Sequence, residues 1–252
     1  SSFPWPYLRS CAKLFLSPAS QHHGDVRHSY IFDIFDGEEK GMGLKPICYD
    51  SWERREYLEF FRKTSIYMTV RIDITALYEA VKHRGLRLYP ALVYCAAKTV
   101  NSHPEFRYGR DSQGNIGIWD RIDPYYTVPR KGAPGHFSMK LTEFCPDFSQ
   151  FYHAFEKDYA LTENCGRLLC DSTIPENICG ISIVPDLSFE GFSFSGDTKE
   201  DFIPFAMFGQ LTSDGGRITL PVGGEFSHAV NDGFHVSLFF RELEQNAREL
   251  FR

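Results

Sequence analysis

The sequence predicts an α/β fold of the α+β kind, a two-layer sandwich in which a mixed sheet is covered by helices. Three observations carry this. Segments alternating with period two and segments alternating with period near 3.6 both occur, in irregular order along the chain. Short turns of hairpin type join strands, which a regular doubly wound parallel sheet lacks. No Gly-x-Gly-x-x-Gly follows a strand and no Walker motif is present, so the phosphate cradle of a nucleotide fold is not expected.

The ordered pattern begins at Asp50, read as a capping residue for a helix over Ser51 to Lys63, with Trp52, Leu58 and Phe61 among charges. Ile66, Met68, Val70 and Ile72 then alternate with Tyr67, Thr69, Arg71 and Asp73, a half-buried strand. Thr75 opens a second helix to about His83, and Pro90, tolerated in a first turn, opens a more apolar third one to Val100. Phe106 to Arg110 and Ile116 to Trp119 flank Ser112-Gln113-Gly114-Asn115, a hairpin whose loop needs a positive φ. Phe148, Phe151, Tyr152, Phe155 and Tyr159 make one helical stripe after Pro146 and Asp147. Strand-like runs follow at Ile178 to Val184, Phe189 to Phe194 and Arg217 to Phe226. The chain closes with an amphipathic helix from Phe234 whose inner face is Phe239, Leu243, Ala247 and Leu250.

With 252 residues, 42% of them hydrophobic and 24% charged, the chain has the length of one main domain and the composition of a globular one. Residues 1–44 read as an N-terminal extension and 45–252 as the domain. The extension holds prolines, a polar run, and His22, His23 and His28 without partners at metal-ligand spacing; no metal site is expected. A formal net charge of −6 argues against nucleic acid as a partner. No apolar window reaches the roughly 18 residues that cross a bilayer, so no membrane partner is expected. The 7 cysteines are scattered singly, without Cys-x-x-Cys pairs, which fits a reducing, cytoplasmic setting.

Chemistry concentrates at Phe226-Ser227-His228-Ala229-Val230-Asn231-Asp232-Gly233-Phe234-His235, where the last strand meets the last helix. An imidazole at a strand end is the side chain best suited to take a proton near neutral pH. Asp232, four residues on, can tie down the loop, and Gly233 is read as permitting a sharp turn. His235 is read as packing.

This segment resembles the active-site signature of the chloramphenicol acetyltransferase family, and the likeness extends over about residues 45–252. Trp52-Glu53-Arg54-Arg55-Glu56 resembles the family's first helix, and Ile72-Asp73-Ile74-Thr75 its next junction. His103-Pro104-Glu105-Phe106-Arg107 is similar to its hairpin entrance, and Ile118-Trp119-Asp120, Asp123-Pro124, Tyr126-Thr127-Val128, Asp147-Phe148 and Pro175-Glu176-Asn177 continue the match. The resemblance implies a homotrimer with the histidine at a subunit interface, acetyl-CoA as co-substrate, and a small-molecule hydroxyl acceptor, chloramphenicol. It makes His228 the general base and Ser182 the donor to a tetrahedral oxyanion. Asp232 and Arg54 become a supporting ion pair beside Gly233, and Phe61, Tyr126 and Met207 substrate-binding residues. Some positions depart from the family: Met207 for a threonine, Phe61 for a tyrosine, Asp186 for a tryptophan, Pro129 for a phenylalanine, and Gln210-Leu211 for a Lys-Tyr pair. Two alternatives stand beside this reading. One is a same-fold acyltransferase with another acceptor, as in dihydrolipoamide acyltransferase cores; the other is a non-catalytic trimeric homologue.

Overall fold

The structure, a computed structural model, describes residues 43–193 and 202–252. The histidines of the extension and the end of the Phe189 to Phe194 run lie outside the described residues. The strands are β1 (Leu44–Pro46), β2 (Ser65–Asp73), β3 (Tyr108–Arg110), β4 (Ile116–Trp119), β5 (Asp123–Pro129), β6 (Phe137–Leu141), β7 (Ile178–Ile183), β8 (Phe205–Phe208), β9 (Thr212–Asp214) and β10 (Arg217–Ser227). The helices are α1 (Arg55–Phe61), α2 (Thr75–His83), α3 (Leu88–Ser102), α4 (Phe148–Thr162) and α5 (Gly233–Glu249).

The large sheet runs β2-β10-β8-β7-β5-β6, with β9 paired to the start of β10. It is mixed: β5–β7 and β7–β8 are parallel, the other pairs antiparallel. One face carries Ile72, Leu220, Val222, Phe226, Ala206, Phe208, Ile181, Tyr126 and Val128 into a core completed by α2 to α5. The period-two spacing within each strand fixes that face, and it leaves Tyr67, Ser182, Phe205, Met207 and Glu225 on the other. The ring of Phe155 on α4 meets Tyr126 and is backed by Phe151, and those of Phe239 and Phe240 on α5 meet Phe226.

A smaller sheet, β1-β4-β3, lies with α1 around a second apolar cluster of Trp52, Leu58, Tyr108, Ile116, Phe202, Ala229 and Val230. Ala229 and Val230 belong to the segment after β10, so this cluster holds the His228 loop from beneath.

Several expectations are corrected. The first helix is shorter than 51–63, because Tyr49–Ser51 form a separate 3₁₀ turn and Trp52 turns extended, at φ −73° and ψ 124°. Its indole packs into the second cluster, with Nε1 donating to the Tyr108 hydroxyl at 3.3 Å. Asp50 caps nothing. Residues 189–193 form no strand. The domain boundary at 44/45 cuts β1, where Leu44 pairs with Trp119. Cys165 and Cys170, read as single thiols, form a disulfide.

Candidate active site

The segment Ser227 to Asp232 leaves β10, makes a tight turn and enters α5. Its backbone is tied from four sides. His228 N donates to Thr64 O at 2.9 Å, Asn231 N to Ser227 O at 2.8 Å, Arg54 Nε to Ala229 O at 3.3 Å, and Asn231 Nδ2 to Glu105 O at 3.0 Å. Asn231 is wholly buried. A buried amide holding a carbonyl from the Pro104–Phe106 turn makes this loop part of the core.

The His228 ring is half-buried. Nδ1 lies 3.1 Å from the carbonyl oxygen of Asn231. A carbonyl oxygen only accepts, so Nδ1 carries the proton and Nε2 is left with a bare lone pair, the state a base requires. Phe61, at the end of α1, stacks on the imidazole with centroids 3.8 Å apart and planes 25° from parallel. Phe61, expected to touch substrate, is thus in contact with the histidine.

Asp232 is the N-cap of α5: its carboxylate accepts from Phe234 N at 3.0 Å, and Arg54 Nη1 reaches the other oxygen at 3.2 Å. The Arg54 side chain is 11% exposed and that of Asp232 36%, so the expected pair is present but open to water on the aspartate side. Burial, the largest single influence on the carboxyl, opposes ionisation. The His235 imidazole, the Arg54 hydrogen bond and the N–H groups of Phe234 and His235 outweigh it and hold the group below the ordinary carboxylate range. Gly233 is not the turn-maker expected of it. It has no positive φ, a Cβ there would meet nothing within 4 Å, and the chain enters the helix through Asp232 in extended conformation. His235 is more than packing, since Nδ1 accepts from Asp232 N at 3.2 Å and closes a capping box.

Ser182 is half-buried on β7, level with Met207 on β8 and Gly223 on β10. At Gly223 a Cβ would stand 2.2 Å from the Phe192 ring, so only glycine lets that ring come this close to the sheet. Phe192, Phe205 and Tyr67 form an aromatic wall on the same face, their centroids 6.1 Å and 5.9 Å from Phe192. No sequence motif singles out these rings; the alternation of β2 alone points to Tyr67. Tyr126 is corrected: it faces the helices with no exposed surface, stacked on Phe155 at 4.2 Å, its hydroxyl 2.8 Å from Thr142 Oγ1. An even-numbered residue of β5 cannot reach the face that holds Ser182.

Within one chain Ser182 and His228 are apart. Four residues, about 13 Å, separate Gly223 from Ser227 along β10, and two strand spacings, about 10 Å, separate β10 from β7. Ser227, the neighbour of His228, is therefore roughly 16 Å from Ser182. Among the described residues no group of three or more His, Cys, Asp or Glu could hold a metal ion. No described helix is long and apolar enough to cross a membrane.

A mixed sheet ending in a histidine turn held by an arginine–aspartate pair is an arrangement with known relatives. The family profile described as chloramphenicol acetyltransferase matches residues 42–244, and the chain belongs to that family. A chloramphenicol acetyltransferase of Staphylococcus aureus is 34% identical over 210 residues, 82% of this chain and all of the relative. One from Clostridioides difficile is 34% identical over 208 residues, 81% of this chain and 96% of the relative. A solved chloramphenicol acetyltransferase superposes with TM-score 0.68 at 23% identity, covering 81% of this chain and 99% of that one. An Azotobacter vinelandii dihydrolipoamide acetyltransferase superposes with TM-score 0.57 at 14% identity, covering 77% and 86%, and shares the fold.

Proposed function

We propose that the protein is a chloramphenicol O-acetyltransferase that moves an acetyl group from acetyl-CoA to a hydroxyl of chloramphenicol, with His228 as general base. The observation that carries this, beside family membership, is the Nδ1 contact to the Asn231 carbonyl, which leaves Nε2 bare. In the proposed step Nε2 takes the proton of the acceptor hydroxyl as its oxygen bonds to the thioester carbonyl carbon. The oxyanion so formed accepts from the Ser182 hydroxyl. Collapse breaks the carbon–sulfur bond, and the leaving thiolate takes the proton back from Nε2. Asp232 and Arg54 hold the loop, and Met207, level with Ser182, contributes apolar surface but no hydrogen-bond donor. The aromatic wall of Phe192, Phe205 and Tyr67 suits an aryl acceptor.

The proposal includes a homotrimer in which His228 of one chain works with Ser182 of another. The separation of these residues within one chain supports this. So do the rings of Phe60 and Phe234, 81% and 68% exposed beside the histidine loop, which a second chain would cover. The catalytic unit is proposed as residues 43–252, with the preceding segment dispensable for turnover. The proposed setting is the cytoplasm. The Cys165–Cys170 disulfide counts against that placement. Thiol labelling in fresh lysate decides it: a labelled pair supports the cytoplasm, and an oxidised pair places the protein in an oxidising compartment.

The experiment is release of free CoA thiol with acetyl-CoA and chloramphenicol. Turnover dependent on both substrates supports the reading. Release with another hydroxyl acceptor, and none with chloramphenicol, would replace the acceptor. No release with any acceptor would contradict enzymatic function.

A further inference from the structure

We infer that His235 is a positioning residue for His228, acting through the single peptide group that joins Asn231 to Asp232. The inference rests on the reading of His228 as the base. The carbonyl oxygen of that peptide accepts from His228 Nδ1 at 3.1 Å, and its N–H donates to His235 Nδ1 at 3.2 Å. Both contacts belong to one rigid plane, and no peptide bond in the described chain is cis. Carbonyl and N–H point in opposite directions from a trans peptide, so one imidazole sits at each end of it. Rotating the plane to break one contact breaks the other.

The surroundings leave this plane few other restraints. The Asn231 backbone N–H and side chain are fixed by Ser227 O and Glu105 O, which hold its Cα but not the peptide that follows. On the far side, Val236 N bonds Asp232 O and Phe234 N bonds Asp232 Oδ1, which anchor the helix start. The tilt of the plane between these anchors is set by the two histidines. An N–H that donates also polarises its own carbonyl and makes it a better acceptor. The bond to His235 thereby strengthens the hold on His228 Nδ1–H, the hold that keeps Nε2 bare. This role belongs to neutral His235, whose Nδ1 accepts, and not to the protonated imidazole whose charge draws the Asp232 carboxyl down. The Asp232 Oδ1 atom, 3.0 Å from the same nitrogen, would instead receive a proton from it if Nδ1 were protonated. Capping boxes ordinarily use Glu or Gln at this position, whose side-chain oxygen accepts in the same way, so the function should be transferable to Gln.

The test compares His235→Gln and His235→Leu in the full chain, with His228→Ala as reference. For His235→Leu the expected result is a fall in kcat of about tenfold or more, with KM for both substrates within about twofold. His235→Gln should return kcat to within about threefold of wild type. Nitrogen NMR on histidine-labelled protein supplies readings that do not depend on activity. In the wild type His235 Nδ1 should be unprotonated and His228 Nδ1 protonated, and His235→Leu should leave His228 as a mixture of tautomers. A protonated His235 Nδ1 in the wild type at the pH of the assay would overturn the inference, and needs no variant to fold. So would an unchanged kcat in His235→Leu, or a His235→Gln enzyme as slow as His235→Leu. If His228→Ala keeps more than a tenth of wild-type activity, the base assignment fails instead. The effect of His235 on the His228 tautomer would still be read from the NMR.

Discussion

A histidine works as a base only if the nitrogen that meets the substrate is the bare one, and here a backbone carbonyl three residues on makes that selection. His228→Ala removes the base and its positioning together. We expect kcat to fall by about three orders of magnitude or more, with the oligomer intact by sedimentation; retention of a tenth of the activity would exclude His228 as the base. Ser182→Ala is expected to lower kcat by roughly 10²-fold with little change in KM, because its hydrogen bond strengthens only as charge develops on the oxyanion. A change confined to KM would make Ser182 a ground-state contact. The histidine was legible in the sequence because His-x-x-x-Asp-Gly sits where a strand pattern gives way to a helical one. Its supports were not. Phe61 comes from the far end of α1 and Asn231 binds a carbonyl 126 residues earlier, pairings that only the tertiary fold creates.

Elements were legible where apolar and polar residues alternate and hidden where they do not. β2 and β10 alternate in sequence and were read as strands, although β10 is buried on both faces from Leu220 to Gly224. β5 runs buried from Asp123 through Val128, so period two is absent and nothing marks it as a strand. β8 is four residues long and gives no period at all. The Ile72-Asp73-Ile74-Thr75 junction was visible, but its mechanism was not: Asp73 Oδ1 accepts from Thr75 N and Thr75 Oγ1, while Oδ2 pairs with Arg217 Nε at 2.8 Å. The Thr75 hydroxyl and N–H, more than Arg217, bring the Asp73 carboxyl down from 3.8 to about 2. A depressed folded-state value stabilises above the ordinary one and is lost as pH falls through the folded one. Asp73→Asn should therefore unfold earlier than wild type at pH 5 to 7, by about 1 kcal/mol once solvent screening is allowed for, and the difference should close between about pH 4 and pH 2. A gap independent of pH would mean the turn, and not the charge, matters. At the other junction Asp232→Asn and Arg54→Val should be non-additive in unfolding midpoint. Recovery in the double variant should be partial, because Arg54 also holds the Ala229 carbonyl and lies 4.1 Å over Tyr57. Strictly additive losses would show that the two charges do not support each other.

At the scale of the molecule, the Cys165–Cys170 bridge fastens the loop after α4 along β6, where Met139 N donates to Leu168 O at 2.7 Å and Lys140 pairs with Asp171. That loop covers an edge that would otherwise be free to pair with another strand. Composition gave no sign of it, since Cys-x₄-Cys carries no fixed meaning. Cys165→Ser with Cys170→Ser should lower stability by about 2 kcal/mol, or about 5 °C in Tm, and added reductant should bring wild type to the same midpoint. Equal midpoints with and without reductant would show that the bridge does not form. The larger question is whether the separation of His228 and Ser182 in one chain is closed by a second. His228→Ala and Ser182→Ala chains, co-refolded in equal amounts beside a refolded wild-type control, answer it directly. Neither homo-oligomer has an intact site. If the base comes from one chain and the serine from its neighbour around a closed ring, random mixing restores about one quarter of the wild-type sites, and activity should rise to that level. A mixture no more active than the average of the two parents would contradict the account.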